Sequence, residues 1–500
     1  MPAYGKDRLF TKQESKALDT YAIEEYRLSS TLLMGVAAMS IYKEYETELL
    51  TSDLLVLCGS GNNGGDALAL AHFVMQNEAF LQSCHVFVKA GKHTEEFLFY
   101  KELLQRTNAE IYDLDSFFMY HEKLASFSGI VIDGLLGIGF RPPLSSLYEK
   151  VIEACNRLRA NSQYCNILSL DVASGYSLAG TAPYIHVDYL AEIGIRKMQN
   201  AFLKSQVKKH SFHSIGFPIA SYLQDKHQDR NVFALQPLER KMIATYSERG
   251  RISHKFSNGS LVFLGGSQGM QGAIFSAQKA FHHLGGGISK LFSPSASTIQ
   301  SMLSQDESMM GEVLQDSFFA DPFVKKSAVL LLGPGLRPEE FSLPSSGFTR
   351  LSGKKIIVDS GALDTFKQLE LNDNFILTPH PGEFKRLIDA DHSNIEELLT
   401  QLQEYVKICK VNLIYRSNFS ILCTSLGEVF IWNYPNEKLA VMGSGDLFLG
   451  ILSYYLSKKY TLELAFHLTQ SLLELSRTSK LMYPTAVEIQ KYTFHRLYHG

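Results

Sequence analysis

Five hundred residues exceed what a single hydrophobic core supports, so two or more domains are required. A composition of 45% hydrophobic and 20% charged residues with a net charge of −3 is that of an ordinary globular chain, and it offers no basic surface for nucleic acid or an acidic membrane. The six cysteines show neither CxxC nor metal-ligand spacing, no apolar stretch approaches bilayer-spanning length and no signal peptide opens the chain, so a reducing, cytoplasmic setting is expected.

In chain order, Leu54-Leu55-Val56-Leu57-Cys58 is a continuous apolar run of strand length, the pattern of a sheet-centre strand. It runs into Gly59-Ser60-Gly61-Asn62-Asn63-Gly64-Gly65-Asp66, and residues 67–75 then read as a buried helix. Strand, glycine turn and helix form a dinucleotide-type cradle, in which backbone N–H groups and the helix's positive end face an anion. The two asparagines and the aspartate add amide and carboxylate ligands beside that anion. A βα turn that uses Asn and Gly only for positive φ would carry similar residues. A second strand ends at Asp133 and enters a loop with glycines at 134, 137 and 139; a third ends at Asp171, followed by Ala173-Ser174-Gly175. Ligands in open α/β sheets sit outside the carboxyl ends of strands. Asn63, Asp133, Asp171 and Ser174 are therefore expected on one rim, as hard oxygen ligands for a weakly held cation or as acid/base groups.

The polar runs at residues 224–231 and 248–251 mark the division of the chain. Both halves alternate short apolar strands with helical patterns, which predicts two three-layer α/β domains with mainly parallel sheets. Beyond the division, Leu261-Val262-Phe263-Leu264-Gly265-Gly266 is a strand and turn, and Gly272-Ala273 opens an apolar helix. Val329-Leu330-Leu331-Leu332 runs into Gly333-Pro334-Gly335. In Thr378-Pro379-His380-Pro381-Gly382-Glu383 two prolines fix the backbone around a histidine and aim its imidazole. Met442-Gly443-Ser444-Gly445-Asp446 leads into a last apolar helix. A Gly-Ser-Gly turn at a helix start presents N–H groups to a phosphoryl group gaining charge, and Asp446 can take a proton from a substrate hydroxyl. An aspartate there also complements the helix dipole. His210, His213, His282, His283 and Trp432 read as packing or surface residues.

The asparagine loop, Asp133-Gly134-Leu135-Leu136-Gly137 and Asp171-Val172-Ala173-Ser174-Gly175 resemble the NAD(P)H-hydrate epimerase domain, with Ser214-Ile215-Gly216-Phe217-Pro218 as its closing strand. The resemblance spans residues 1–230 and implies a Rossmann-like domain. In it Asn62, Asn63, Gly64, Gly65, Asp66 and Gly137 would hold the dinucleotide, and Asp171 would touch the hydrated nicotinamide as a catalytic group. Asn63, Asp133 and Ser174 would ligate potassium. Residues 238–500 resemble the ribokinase-like ADP-dependent NAD(P)H-hydrate dehydratases, through Ser253-His254-Lys255, Gly272-Ala273 and the segments 333–336, 378–383 and 443–446. That resemblance implies that Ala273, Gly335 and His380 contact the hydrated dinucleotide. Gly445 with Arg416, Ser417, Asn418, Phe419 and Ser420 would contact the adenine nucleotide, and Asp446 would be the base, with Mg²⁺ expected on the phosphates.

Epimerase followed by dehydratase implies a bifunctional repair activity. R- and S-NAD(P)HX would be interconverted and the S form dehydrated at the expense of ADP, by a protein expected to be a homo-oligomer. The chain departs from these families at several points. Helical residues 32–38 lack the polar groups usual after the methionine. Asp359-Ser360-Gly361-Ala362-Leu363 stands for Asp-Ala-Asp-Ala-Leu, Arg416-Ser417 for Lys-Gly, and Gln470-Ser471 for His-Gly, while residues 436–441 lack the expected Gly and hydroxyl. Two other readings remain open: a ribokinase-like kinase of a small molecule such as a vitamin precursor, and a nucleotide-binding protein whose catalytic halves have decayed.

Overall fold

The structure, a computed structural model, describes the chain apart from residues 1–4, 121–126, 181, 226–230, 342, 345, 350, 352, 368–370, 393 and 500. The chain separates into two compact units. One comprises residues 8–229 with 394–396; the other comprises residues 230–393 and 397–500 and takes in residues 5–7 from the start of the chain.

The first strand, β1 (Lys6–Leu9), edges the larger sheet. Strands β2 (Asp53–Cys58), β3 (Cys84–Val88), β4 (Glu110–Asp113), β5 (Gly129–Gly134), β6 (Cys165–Leu170), β7 (Tyr189–Ile193) and β8 (Lys209–His213) form the smaller sheet, in the order β4-β3-β2-β5-β6-β7-β8. Every neighbouring pair in it is parallel. Because both faces are covered, β2 is apolar from Leu54 to Cys58 rather than alternating. Leu54, Val56 and Cys58 pack with the helices Ser30–Glu44, Asn62–Met75 and Glu95–Gln105, while Leu55 and Leu57 pack with the helix Ser146–Asn161 on the other face. Residues 67–71 of the Asn62–Met75 helix are all fully buried, and the alanines among them let it lie close to the sheet. The closing strand is Lys209–His213, one step before the expected Ser214-Ile215-Gly216-Phe217-Pro218 segment, which has no regular structure. Pairing with β7 decides this: its register Tyr189↔Lys209 to Ile193↔His213 is used up at His213, and Pro218 lacks the N–H to extend it. His210 and His213 lie within that strand.

In the larger unit, β9 (Val232–Leu235) precedes the expected domain start at residue 238 and pairs with β18 (Val429–Trp432). Between them come β10 (Ser260–Leu264), β11 (Ile288–Ser293), β12 (Met310–Val313), β13 (Val329–Leu332), β14 (Lys355–Val358), β15 (Phe375–Leu377), β16 (Asn412–Arg416) and β17 (Ser420–Cys423). The sheet order is β1-β9-β18-β17-β16-β15-β14-β13-β10-β11-β12, and from β9 to β12 the pairs are parallel except where β17 runs antiparallel to both neighbours. Residues 5–7 join this unit through the Gln236 amide, which donates to the Gly5 carbonyl at 2.7 Å, and through a Lys6–Glu463 ion pair. One face carries the helices Gln271–His283, Ser444–Ser457 and Leu462–Glu474 over Leu261, Phe263, Leu331, Ile357 and Ile414. His282 and His283 bond Ser289 and Gln490, and Trp432 is a buried strand residue.

Candidate active sites

Since β2, β5 and β6 are neighbours, the loops leaving their carboxyl ends share one rim. The glycine loop is shaped by close approach. A Cβ on Gly59 would lie 1.8 Å from the Leu135 carbonyl oxygen, and one on Gly64 would lie 2.1 Å from that of Gly59. The helix Asn62–Met75 therefore begins pressed against the β5 loop. Asn63 spans the gap, its Nδ2 donating to the Leu136 carbonyl at 3.1 Å. Its Oδ1 is buried without a partner.

Beneath this rim Asp133 is fully buried and accepts four hydrogen bonds. They come from Ser169 Oγ (2.6 Å), Ser174 N (3.0 Å), Ser174 Oγ (2.5 Å) and Leu135 N (3.2 Å). Burial pushes the Asp133 carboxyl up, against the pull of those donors. Ser174 Oγ also accepts from the Leu136 amide at 2.9 Å, which joins Asn63, Asp133 and Ser174 into one network through residues 135–136.

A cleft of about 640 Å³ opens above, lined by Asn62, Asn63, Asp66, Gly137 and Asp171. Gly64 and Gly65 stand behind it; a Cβ on Gly65 would meet the Met34 side chain at 2.6 Å. The cleft also takes in Asp19, Glu96 and Lys197, which sequence reasoning passed over. Asp171 adopts φ +64°, a left-handed conformation costly for a non-glycine residue. It is over-determined there. Its amide donates to the Ala191 carbonyl at 2.7 Å, its carbonyl accepts from Asn200 Nδ2 at 2.8 Å, and its Oδ1 accepts from Ile193 N at 3.2 Å and pairs with Lys197.

Lys197 is itself held by Glu192, a fully buried carboxylate that accepts from the Lys197 amide (2.6 Å), Asn200 Nδ2 (2.9 Å) and His210 Nε2 (3.1 Å). The available signal was Glu192 itself, an acid inside the apolar strand Tyr189–Ile193, because a buried charge demands partners. Burial raises the Asp171 carboxyl while Lys197 pulls it down; Asp19 and Asp66 are raised by burial and then by the Asp171 charge. Three carboxyls around one ammonium distribute protons unequally, the arrangement from which acid and base roles arise.

In the second unit β14, β15 and β16 are adjacent, and their ends present Asp359, Thr378 and Arg416. Asp359 Oδ1 accepts from Arg416 Nη2 at 2.6 Å and from Thr378 Oγ1 at 2.7 Å. Asp446 stands in the first turn of the helix Ser444–Ser457, which starts from Gly443 at φ +91°. Burial, helped by the Asp359 charge and opposed by Arg416, pushes the Asp446 carboxyl up to about 6. Gly445 lies against Arg416. Gly335, at φ +64°, approaches Ala273, and a Cβ on it would lie 2.2 Å from the Met270 carbonyl oxygen. His380 caps the helix Pro381–Ile388, its Nδ1 accepting from Gly382 N at 3.1 Å and Glu383 N at 3.4 Å. The prolines therefore fix the imidazole as a cap, with Nε2 3.5 Å from Glu383 Oε1 on an otherwise exposed side chain. Ser417, Asn418 and Phe419 form the β16–β17 hairpin turn, closed by Ser417 N donating to the Phe419 carbonyl at 2.8 Å; Ser420 opens β17, paired with Arg416. Among the described residues no group of three or more His, Cys, Asp and Glu side chains is arranged to hold a metal. No helix among them is long and apolar enough to cross a membrane.

Comparison with known proteins matches residues 30–195 to the family of YjeF-related protein N-termini and residues 261–478 to the NAD(P)H-hydrate dehydratase family. Similar full-length relatives are bifunctional NAD(P)H-hydrate repair enzymes. That of Dictyoglomus turgidum is 25% identical over 91% of this chain and 90% of the relative. That of Thermofilum pendens is 27% identical over 88% and 86%, and that of Escherichia coli 24% identical over 89% and 83%. Among solved structures, the ADP/ATP-dependent NAD(P)H-hydrate dehydratase of Bacillus subtilis, co-crystallised with ATP and Mg²⁺, aligns with TM-score 0.43 and 21% identity, covering 52% of this chain and 96% of that one. A yeast protein, YNL200c, aligns with TM-score 0.35 and 20% identity, covering 41% and 87%.

Proposed function

Because the chain belongs to the family of bifunctional NAD(P)H-hydrate repair enzymes, whose two domains it carries in the same order, we propose that it restores hydrated NADH and NADPH. The first unit epimerises the C6 hydroxyl and the second dehydrates the S epimer with ADP, giving AMP and phosphate. The observation that carries this reading is the provision, in two separate units, of a buried-walled carboxylate beside a cation at a glycine-built rim: Asp171 with Lys197, and Asp446 with Arg416.

In the first unit the C6 hydroxyl takes a proton and leaves as water, while the ring nitrogen's lone pair forms the C6 iminium. Water returns to the opposite face and gives up a proton. Asp171, raised by burial and drawn back by Lys197, accepts that proton; Asp66 and Asp19, pushed up by burial and by Asp171, hold the one that is donated. The Asn62–Asp66 turn seats the diphosphate. Potassium fits the donor set, since Asn63 Oδ1 is buried with no partner beside Asp133 and Ser174; those three residues would hold it, and it supplies fixed positive charge toward an anionic substrate.

In the second unit Asp446 takes the proton of the S-epimer hydroxyl as its oxygen bonds the β-phosphorus of ADP and the bridging oxygen leaves with AMP. Phosphate then departs from C6 under push from the ring nitrogen, and loss of a C5 proton restores the dihydronicotinamide. Gly443 to Asp446 present backbone N–H groups to the phosphoryl group. Mg²⁺ would travel with the nucleotide, with at most one or two carboxylates from the protein, and neutralises phosphate charge.

The test is recovery of NADH absorbance from mixed R- and S-NADHX with ADP, K⁺ and Mg²⁺. Complete recovery is expected, half-recovery in Asp171→Asn, and none in Asp446→Asn. Transfer of phosphate from ATP to a vitamin precursor, without NADHX consumption, would overturn the reading.

A further inference from the structure

Arg416 is spent inside the protein. Its Nε donates to the Thr378 carbonyl at 3.1 Å, its Nη2 to the same carbonyl at 3.0 Å and to Asp359 Oδ1, and its Nη1 to the Gly445 carbonyl at 3.3 Å. The side chain is 17% exposed and that of Asp359 only 4%. Asp359 is closed off in turn by Thr378 Oγ1 and by Ser360 Oγ at 2.7 Å. The ends of three adjacent strands are thus tied through one guanidinium to the first turn of the helix Ser444–Ser457. Gly445 belongs to the same device, because a Cβ there would stand 3.0 Å from Arg416 Nη1.

We propose that Arg416 is a positioning residue of the phosphoryl-transfer site, holding the turn that carries Asp446 to the rim of β14–β16, and is not a ligand of the nucleotide phosphates. This replaces the expectation that Arg416 contacts the adenine nucleotide, and it rests on the dehydratase reading. The physical reason is the cost of the alternative. Swinging the guanidinium out to a phosphate would leave Asp359 charged, buried and unpaired, which is strongly unfavourable. A lysine at this position could supply the charge but not the planar fork that reaches a carboxylate and two carbonyls together.

The experiment compares the full-length wild type with Arg416→Met and Arg416→Lys. Three readouts are taken: kcat and KM for ADP in S-NADHX dehydration, the pH dependence of kcat, and ADP affinity by calorimetry with amide exchange over residues 443–449. Arg416→Met is expected to lower kcat by roughly 10²-fold, the scale of an ångström-level misplacement, with KM and Kd for ADP within about threefold of wild type. Its acid limb moves to higher pH, since Asp446 loses a nearby positive charge, and exchange in the 443–449 turn speeds up. Arg416→Lys returns the acid limb toward wild type but not kcat. A large rise in KM and Kd for ADP with kcat kept would overturn the proposal, as would exchange and kcat both unchanged. If the wild type does not dehydrate NADHX, the dehydratase reading fails by itself, and exchange plus ADP affinity still decide the role of Arg416.

Discussion

Replacing Lys197 by methionine tests the geometry of the epimerase cleft with little change in side-chain volume. Lys197 is 4% exposed and Asp171 16%, so the substitution leaves a nearly buried carboxylate with no cation and removes donors to the Ile193 and Ile195 carbonyls. Removing one partner of a buried pair costs about 3–5 kcal/mol. At about 2–4 °C per kcal/mol for a domain of this size, the first unit should melt about 10 °C lower near neutral pH. The loss depends on pH. Without Lys197 the folded-state value of Asp171 rises further above its unfolded value, so the folded state binds the extra proton. The variant's deficit is then small near pH 4, about the unfolded carboxylate value, and grows as pH rises toward the folded one. The assay is circular-dichroism melting across that range, with the single tryptophan as internal control. Trp432 lies in the other unit, so its fluorescence transition should not move. Epimerisation by Lys197→Met should fall with the stability. A variant melting within a degree or two of wild type at pH 8, with epimerisation intact, would refute the assignment of Lys197 and Asp171 as an interdependent pair.

Gly59→Ala should abolish epimerisation while leaving S-NADHX dehydration unchanged, because a Cβ 1.8 Å from the Leu135 carbonyl forces the glycine loop off the β5 loop; separate assays of the two epimers check this. The dehydration rate should fall as pH drops through about 6, where burial and Asp359 hold the Asp446 carboxyl, since the protonated group cannot accept the hydroxyl proton. The same raised value makes folding of the second unit less favourable as pH rises from the ordinary carboxylate range to about 6, and Asp446→Asn should erase that slope in chemical denaturation. Asn63→Leu should remove potassium activation of epimerisation and leave residual activity insensitive to the ion, measured with K⁺ exchanged for a bulky organic cation.

Reading the chain by residue order was enough for everything that depends on neighbours in sequence. The apolar run before the glycine loop must be a doubly covered strand, the Gly59–Gly65 spacing must be a close βα turn, and Gly443 to Asp446 must start a helix, because backbone sterics and periodicity act locally. The same local patterns carried Asn63, Asp133, Asp171 and Ser174 to the carboxyl ends of parallel strands, and Asp446 to the first turn of a helix, without any coordinates. What it did not reach were relations between residues far apart in the chain. Asp19 enters the cleft from the first helix, Glu192 and Lys197 flank a lone Gly194 at a strand end with no Asn or Asp motif beside it, and Arg416, 57 residues from Asp359, turns out to face inward. The closing strand and the start of the second sheet were likewise settled by which partner edge had unpaired backbone groups, at β7 and at β18. Charge compensation and strand pairing are properties of packed neighbours in space, so only the tertiary structure could decide which cation each buried carboxylate would have.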